Sequence, residues 1–498
     1  MQAPKGFQRE IPMSRAVNQL LKSEVFLKFF YKFLRVFTIA LIFSIIQINI
    51  KMKWFFVISL LFAHPAIGQQ MPVLDERKRA ELVDELLADR INNLLPGLMQ
   101  NAGLDMWIIV SREYNEDPII KTMLPSTWLA ARRRTILVFF KPEKDKPFEK
   151  MAIARYNVGE TIKAAWDIQQ FPNQWDQLID IIKKRTPQKI GLNYSTSFGH
   201  ADGMDHTDYL ELMQKLPVDY KAKVVSAEPL AVSWLETRSE KEMILYPQLI
   251  RITHDIISEG FSEKVITPGV TTTDDVVWWF RNKFRQMGLD TWFHPTVDVQ
   301  RNDSLNFEHL RTFSNRPREE IIIPGDLIHV DIGITYLRLN SDIQEHAYLL
   351  KPGEKEAPES IKISFKNGNR VQDILTAQFK KGKTGNQILA DALAQCKSEG
   401  LQAVIYTHPI GFHGHAAGPT IGMWDNQGRT AGSGDYPLNY RTAYSIELNC
   451  STFIPEWKKA IRIMLEEDGY YDENGFRFIN GRQKELLLIP RPLKQIGD

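Results

Sequence analysis

The segment Gly325–Asp342 reads GDLIHVDIGITYLRLNSD, an apolar run broken by Asp331 and closed by Asp342 eleven residues later. A carboxylate on the core face of a strand is costly to bury unless it is paired or binds a cation. Two of them on neighbouring strands of a hairpin would suit a divalent metal. Working outward, THPIGFHGHAAGP places His408, His413 and His415 within eight residues, among glycines that let the backbone approach closely. Neutral imidazole is a common ligand for first-row metals. AYSIELNC carries Glu447 in an otherwise apolar strand, and IRIMLEEDGYY ends an apolar run with Glu466 and Glu467. Taken singly, such an Asp reads as a turn-former or cap and such a His as a hydrogen-bonded core residue, the role expected of His413. Glu467, one step out of phase with Glu466, is expected to face water. The order and spacing of Asp331, Asp342, His408, Glu447 and Glu466 together point to a metal site. Oxygen-rich ligation with one imidazole favours Mn, Co, Fe or Zn.

The rest of the chain bounds the alternatives. Its 498 residues carry 62 Lys+Arg against 60 Asp+Glu, a net charge of +2. That balance lacks the basic excess of a nucleic-acid binder. With 43% hydrophobic and 24% charged residues the chain is an ordinary globular protein, long enough for two or three domains. Cys396 and Cys450 are the two cysteines, which excludes a disulfide framework and a Cys-based zinc site. They are expected to be reduced, in a helix and a core strand. No Gly-x-Gly-x-x-Gly follows a strand and no phosphate loop ending in Gly-Lys-Ser/Thr occurs, which removes the common nucleotide sites.

Along the chain, an amphipathic helix is expected over Leu74–Met99, then strands at Met106–Ser111, Thr135–Phe140 and Lys189–Tyr194 with a helix at Trp175–Lys184. This alternation predicts a first α/β domain over residues 72–235. At Ser239 the texture changes, and Ser-x-x-Glu caps a long helix through Phe261. Thr272 or Thr273 is placed to cap the next one. From Trp292 the chain is read as short strands, a helix around Asn386–Lys397, and further strands, making a second domain over 236–490.

Two apolar runs precede these domains. Val36–Ile50 is shorter than the roughly 20 residues that span a bilayer. From Met52, MKWFFVISLLFAHPAIGQQ has a basic start, an apolar centre and small residues at Ala66-Ile67-Gly68, the pattern of a signal peptide over 52–68. Residues 1–51 are then an over-extended start, and the mature chain begins near Gln69. The alternative is that one run remains as a membrane anchor. Either reading sends the protein out of the cytoplasm, to the periplasm or beyond.

The second half resembles the pita-bread metallopeptidases, the family of methionine aminopeptidase, Xaa-Pro aminopeptidase and prolidase. Asp331, Asp342 in Asn-Ser-Asp, His408 opening His-x-x-Gly-x-x-x-His, Glu447 in Ser-Ile-Glu-Leu and Glu466 match that family's five ligands in order. The departures are Leu448 where Pro is usual, Gln344-Glu345-His346 where Thr-Arg-Thr is usual, and Met464-Leu465-Glu466 where Arg-Ile-Glu is usual. A register reading Arg462-Ile463-Met464 would put a thioether, a poor ligand for hard ions, at the metal, so Glu466 is preferred. The resemblance implies an α+β pita-bread catalytic domain behind an α/β N-terminal domain of creatinase type, and two divalent ions (Mn, Co or Zn). It implies Glu447 as general base and His415 or His309 as the histidine facing the oxyanion. It further implies a peptide substrate with proline second, and homodimers are common among such relatives. The alternatives are a prolidase-like dipeptidase, another C–N hydrolase of the fold, or a catalytically silent binding module.

Overall fold

The computed structural model describes residues 73–143, 145–303 and 320–491, with Lys32 in isolation. His309 and the segments read as leader or anchor lie outside these described residues. The chain divides into two compact units, Met1–Pro72 and Val73–Asp498, and the described fold lies in the second.

The first part is a six-stranded sheet in the order Lys163–Ala164, Glu149–Ile153, Arg134–Phe140, Met106–Arg112, Ile190–Leu192, Val224–Ser226. Met106–Arg112 runs antiparallel to Arg134–Phe140 and parallel to Ile190–Leu192. Both faces are covered, so its central strands are apolar throughout. Trp107, Ile109, Leu137 and Phe139 face the layer of the Leu95–Ala102 and Glu228–Glu236 helices. Ile108, Val110, Ile136 and Val138 face the Gln174–Arg185 helix. The opening helix spans Glu76–Asp89 and continues through a π turn at Arg90–Leu94 to Leu95–Ala102, where Gly103 in the left-handed region ends it.

The second part begins where Ser239 and Glu242 close a capping box on the Glu240–Gly260 helix. Thr272 does the same with Asp275 for Thr273–Gln286, which resolves the choice between Thr272 and Thr273. Four sheets follow among the described residues, the smallest ordering Leu339–Asn340, Ile334–Tyr336 and Asp290–Thr291. Of the others, one orders Leu487–Ile489, Ile343–Leu349, Leu327–Ile332 and Thr296–Gln300; another, His408–Pro409, Thr442–Ser445, Asp468–Asp472 and Gly475–Phe478; the third, Gln402–Ile405, Leu448–Ile454 and Lys459–Leu465. Helix Gly385–Ser398 covers the expected Asn386–Lys397. A nineteen-residue helix, Glu359–Ala377, stands where only strands were expected. Its apolar positions Ile361, Phe365, Val371 and Leu375 do follow helical spacing, but Gly368 and a Lys/Asn-rich face mask it. Gly368 is there because a Cβ would come within 2.8 Å of Ile463 on the sheet below. Cys396 and Cys450 are buried and unpaired, in a helix and a core strand.

Where the two parts meet, Arg90 donates to the Thr237 carbonyl (2.8 Å) and to Glu242 (2.7 Å), and lies over the Trp234 ring. Arg238 approaches the other oxygen of Glu242 at 3.3 Å. All three charged groups are buried.

Candidate metal centre

The hairpin read in Gly325–Asp342 forms in two stages. Leu327–Ile332 pairs antiparallel with Ile343–Leu349, so that Asp331 stands opposite Gln344. Between them a small hairpin turns at Leu337-Arg338, both in the left-handed region as a tight turn with a right-handed twist requires. Asp342 is held at the mouth of the second strand by its own N–H, which donates to Asp468 at 3.1 Å. His408 pairs with Ser445, and Ser445 with Asp468, in the adjoining sheet. Gln344 and Glu466 bridge the two systems by backbone hydrogen bonds.

This framework brings four carboxylates and an imidazole to one place. Ligand atoms of Asp331, Asp342 and Glu466 lie within 4.8 Å of one another, as do those of His408, Glu447 and Glu466. His408 Nε2 stands 3.6 Å from Asp342 and 3.7 Å from Glu466. Around a tetrahedral ion with bonds of 2.0–2.2 Å, ligand atoms are roughly 3.3–3.6 Å apart, so these spacings are those of donors around a cation. His408 Nδ1 lies 3.0 Å from the Pro409 carbonyl, which leaves Nε2 toward the cluster. That Nε2 is buried without a hydrogen-bond partner, and so is Asp331 Oδ1. Orphaned polar atoms of complementary donor type at one point are what a metal would satisfy.

Electrostatics agree. Burial, then the charge of Glu466, pushes Asp331, Asp342 and Glu447 well above the usual carboxylate range. For Glu466 burial acts the same way but is outweighed by His408, Ser445 and Gln344, which hold it below that range. The set cannot be fully ionised without an added positive charge.

The five expected ligands are therefore neighbours, and Glu466, not Met464, turns its side chain into the cluster. Met464 is buried, and its N–H donates to His346 Nε2. Arg462 bonds Asn449 and is not among them. His415 sits at the edge, its ring 4.6 Å from that of His408 and 5.1 Å from Trp292. Its pKa is lowered, by desolvation first and then by His408. A cavity of about 440 Å³ opens beside it, lined by His200, Trp292, Arg338, Phe412 and His413. His413 is not the hydrogen-bonded core residue expected: its Nδ1 has no partner and its ring lies 4.4 Å from that of His200.

Three contributors escaped the sequence reading. Gln344 donates from Nε2 to Glu447 (3.0 Å) and Glu466 (2.7 Å), while its Oε1 lies 2.9 Å from His329 Nε2. Ser445 donates to Glu466, and Asp468 orients Asp342. For Gln344 and Ser445 the signal is a neutral polar residue facing inward from an apolar strand, which a search for titratable ligands passes over.

Glu467 corrects a further expectation. It does not face water: it is 1% exposed, 3.0 Å from His254 Nε2, with Glu345 Oε1 3.9 Å from the same nitrogen. Period-two alternation does turn it away from Glu466, but the opposite face is covered by the Glu240–Gly260 helix that carries His254. There Glu345 is pushed up to about 8 by burial and by Glu467.

Fold and site define a class: an α/β domain followed by a pita-bread domain with a carboxylate–imidazole centre. Residues 248–468 match the profile of metallopeptidase family M24, and the second domain belongs to that family, which makes it a metallopeptidase-type hydrolase domain. Among solved structures the chain is similar to an X-Pro aminopeptidase from Thermotoga maritima MSB8 (TM-score 0.54, 17% identity, covering 79% of this chain and 99% of that one). It is also similar to an Xaa-Pro dipeptidase from Bacillus anthracis (0.51, 15%, 83% and 100%) and to dipeptidase PepE from Mycobacterium ulcerans (0.51, 16%, 84% and 100%). At these identities the likeness is one of fold. No curated protein matches the sequence.

Proposed function

We propose that the protein is a dinuclear metal-dependent aminopeptidase that removes the N-terminal residue from peptides with proline in second position. The observation that carries this reading is the convergence of Asp331, Asp342, His408, Glu447 and Glu466, with unpartnered donor atoms, inside a family M24 domain. These five would hold the ions; the donor set suits Mn, Co or Zn. When bound, such ions supply a water of lowered pKa and polarise the scissile carbonyl. Glu447, half-buried and raised above the ordinary carboxylate range, is suited to take a proton from the attacking water and deliver it to the leaving nitrogen. His415, kept neutral by its surroundings, is suited to donate to the carbonyl oxygen from the rim of the cavity. The proline preference is supported by two structural neighbours, an X-Pro aminopeptidase and an Xaa-Pro dipeptidase. Export, proposed from the leader-like stretch at 52–68, belongs to the same reading. No helix among the described residues is long and apolar enough to cross a membrane.

A panel of Xaa-Pro peptides, offered to chelated protein with and without Mn, Co or Zn, tests this directly. Metal-restored release of the first residue is expected, and release from tripeptides as well as dipeptides separates the aminopeptidase from a dipeptidase. A second reading, a catalytically silent binding module, draws on Gln344, whose amide already bonds Glu447 and Glu466. Folded protein that hydrolyses nothing with any of the three metals would establish that reading in place of the first.

A further inference from the structure

Gln344 and Glu466 face the metal centre; their neighbours Glu345 and Glu467 project to the other side of the same two strands and meet His254. Ligand atoms of these three residues lie within 4.8 Å of one another. His254 Nε2 is 3.0 Å from Glu467 Oε2 and 3.9 Å from Glu345 Oε1, values that bracket the roughly 3.3–3.6 Å between donors around a tetrahedral ion. Glu345 is 7% exposed, and among the described residues no N–H or O–H donor reaches its carboxylate. No Lys or Arg among the described residues pairs with either glutamate. The outer oxygen of Glu467 is already fixed by the Gln483 N–H at 3.1 Å, which turns Oε2 toward His254. A divalent cation held by a neutral imidazole and two carboxylates brings this buried group to zero net charge.

We infer that His254, Glu345 and Glu467 form a separate mononuclear site for a first-row divalent cation, on the face of the sheet opposite the M24 centre. One imidazole and two carboxylates suit Zn, with water as fourth ligand. The His254 side chain is 20% exposed, which supplies the entry path. The ion would pin the Glu240–Gly260 helix to the two strands and thereby fix the strand positions of Gln344 and Glu466. Its role is structural, and it does not depend on the chain's being a peptidase.

The deciding measurement is anomalous diffraction at the zinc edge from crystals of the wild-type chain, chelated and then supplied with Zn²⁺. A peak about 2.0–2.2 Å from His254 Nε2 and from one oxygen of each glutamate is expected. Density without an anomalous peak at that point, whether or not the M24 centre is filled, overturns the site in favour of a protonated His–Glu–Glu triad. In solution, Glu345→Gln and His254→Asn should each bind about one zinc fewer per chain than wild type and lose part of the zinc-dependent rise in melting temperature. Unchanged stoichiometry in folded variants overturns the proposal, and if they fail to fold the wild-type anomalous map decides. Because the two sites appear at different places in that map, loss of this one and loss of the M24 centre are distinguishable.

Discussion

Glu242 and Glu466 are both buried carboxylates, but they sit in opposite electrostatic settings. Glu242, at the seam of the two parts, has Arg90 and Arg238 against it, and these outweigh burial to hold its pKa down. Around Glu466 stand Asp331, Asp342 and Glu447, which its charge pushes upward, with His408 inside the cluster and His415 at its edge as imidazoles. The seam thus carries its own compensating cations. Among the described residues the cluster has donors in excess and no arginine or lysine, an arrangement suited to completion by a cation from solution. Burial of charge alone therefore says little about function; whether the chain also supplies the counter-charge separates structural ion pairs from a site.

The comparison can be pressed hardest at Glu447. Glu447→Gln should cut peptide hydrolysis by about 10²–10⁴-fold in protein that still folds, as read by steady-state kinetics beside circular dichroism. At the seam the effect should fall on stability instead. Arg90→Ala removes one of two cations from a buried glutamate, and a loss of about 3 kcal/mol is expected in urea titration. A variant as stable as wild type would show that Arg238 alone suffices. Asp331→Asn should act with the opposite sign in chelated protein, stabilising it by about 1 kcal/mol, the scale of one pKa unit, because it relieves like-charge repulsion. With metal present the same substitution should destabilise.

The smallest effect expected is in pH dependence. In the metal-free protein the raised carboxyls of Asp331, Asp342 and Glu447 bind protons that the unfolded chain has already released, so stability is full below the ordinary carboxylate range. It is lost as pH rises through the folded values, and Glu345, at about 8, extends that window to mild alkali. Melting of chelated protein should therefore fall between pH 5 and pH 8, and saturating metal should flatten or reverse the slope. A flat profile without metal would mean that the cluster carries less repulsion than its geometry implies.

Much of this centre is legible in the sequence because an ionised group inside an apolar strand is conspicuous: Asp331, Asp342, Glu447 and Glu466 all announce themselves that way. The ligand histidine needs its glycine-rich surroundings as well, since His413 and His415 look much the same in one dimension. Gln344 and Ser445 stay hidden, being neutral groups whose importance lies in what they donate to. Glu467 shows the limit of alternation as a guide. Period two tells which side of a strand a residue takes, but whether that side meets water depends on a helix some two hundred positions earlier. The Glu359–Ala377 helix was obscured by Gly368, whose close fit to Ile463 is visible only once the sheet beneath it exists.

The back-to-back arrangement of Gln344 with Glu466 and Glu345 with Glu467 also bears on how such a gene can change. Substitutions along 342–346 alter one face at a time and can be sampled independently. A single-codon insertion or deletion there would shift the phase of every side chain beyond it, presenting Glu345 where Gln344 belongs and exchanging the two faces in one step. Descendants of this chain should therefore vary freely in residue type across these strands yet keep their length, with gaps gathered in the turns on either side.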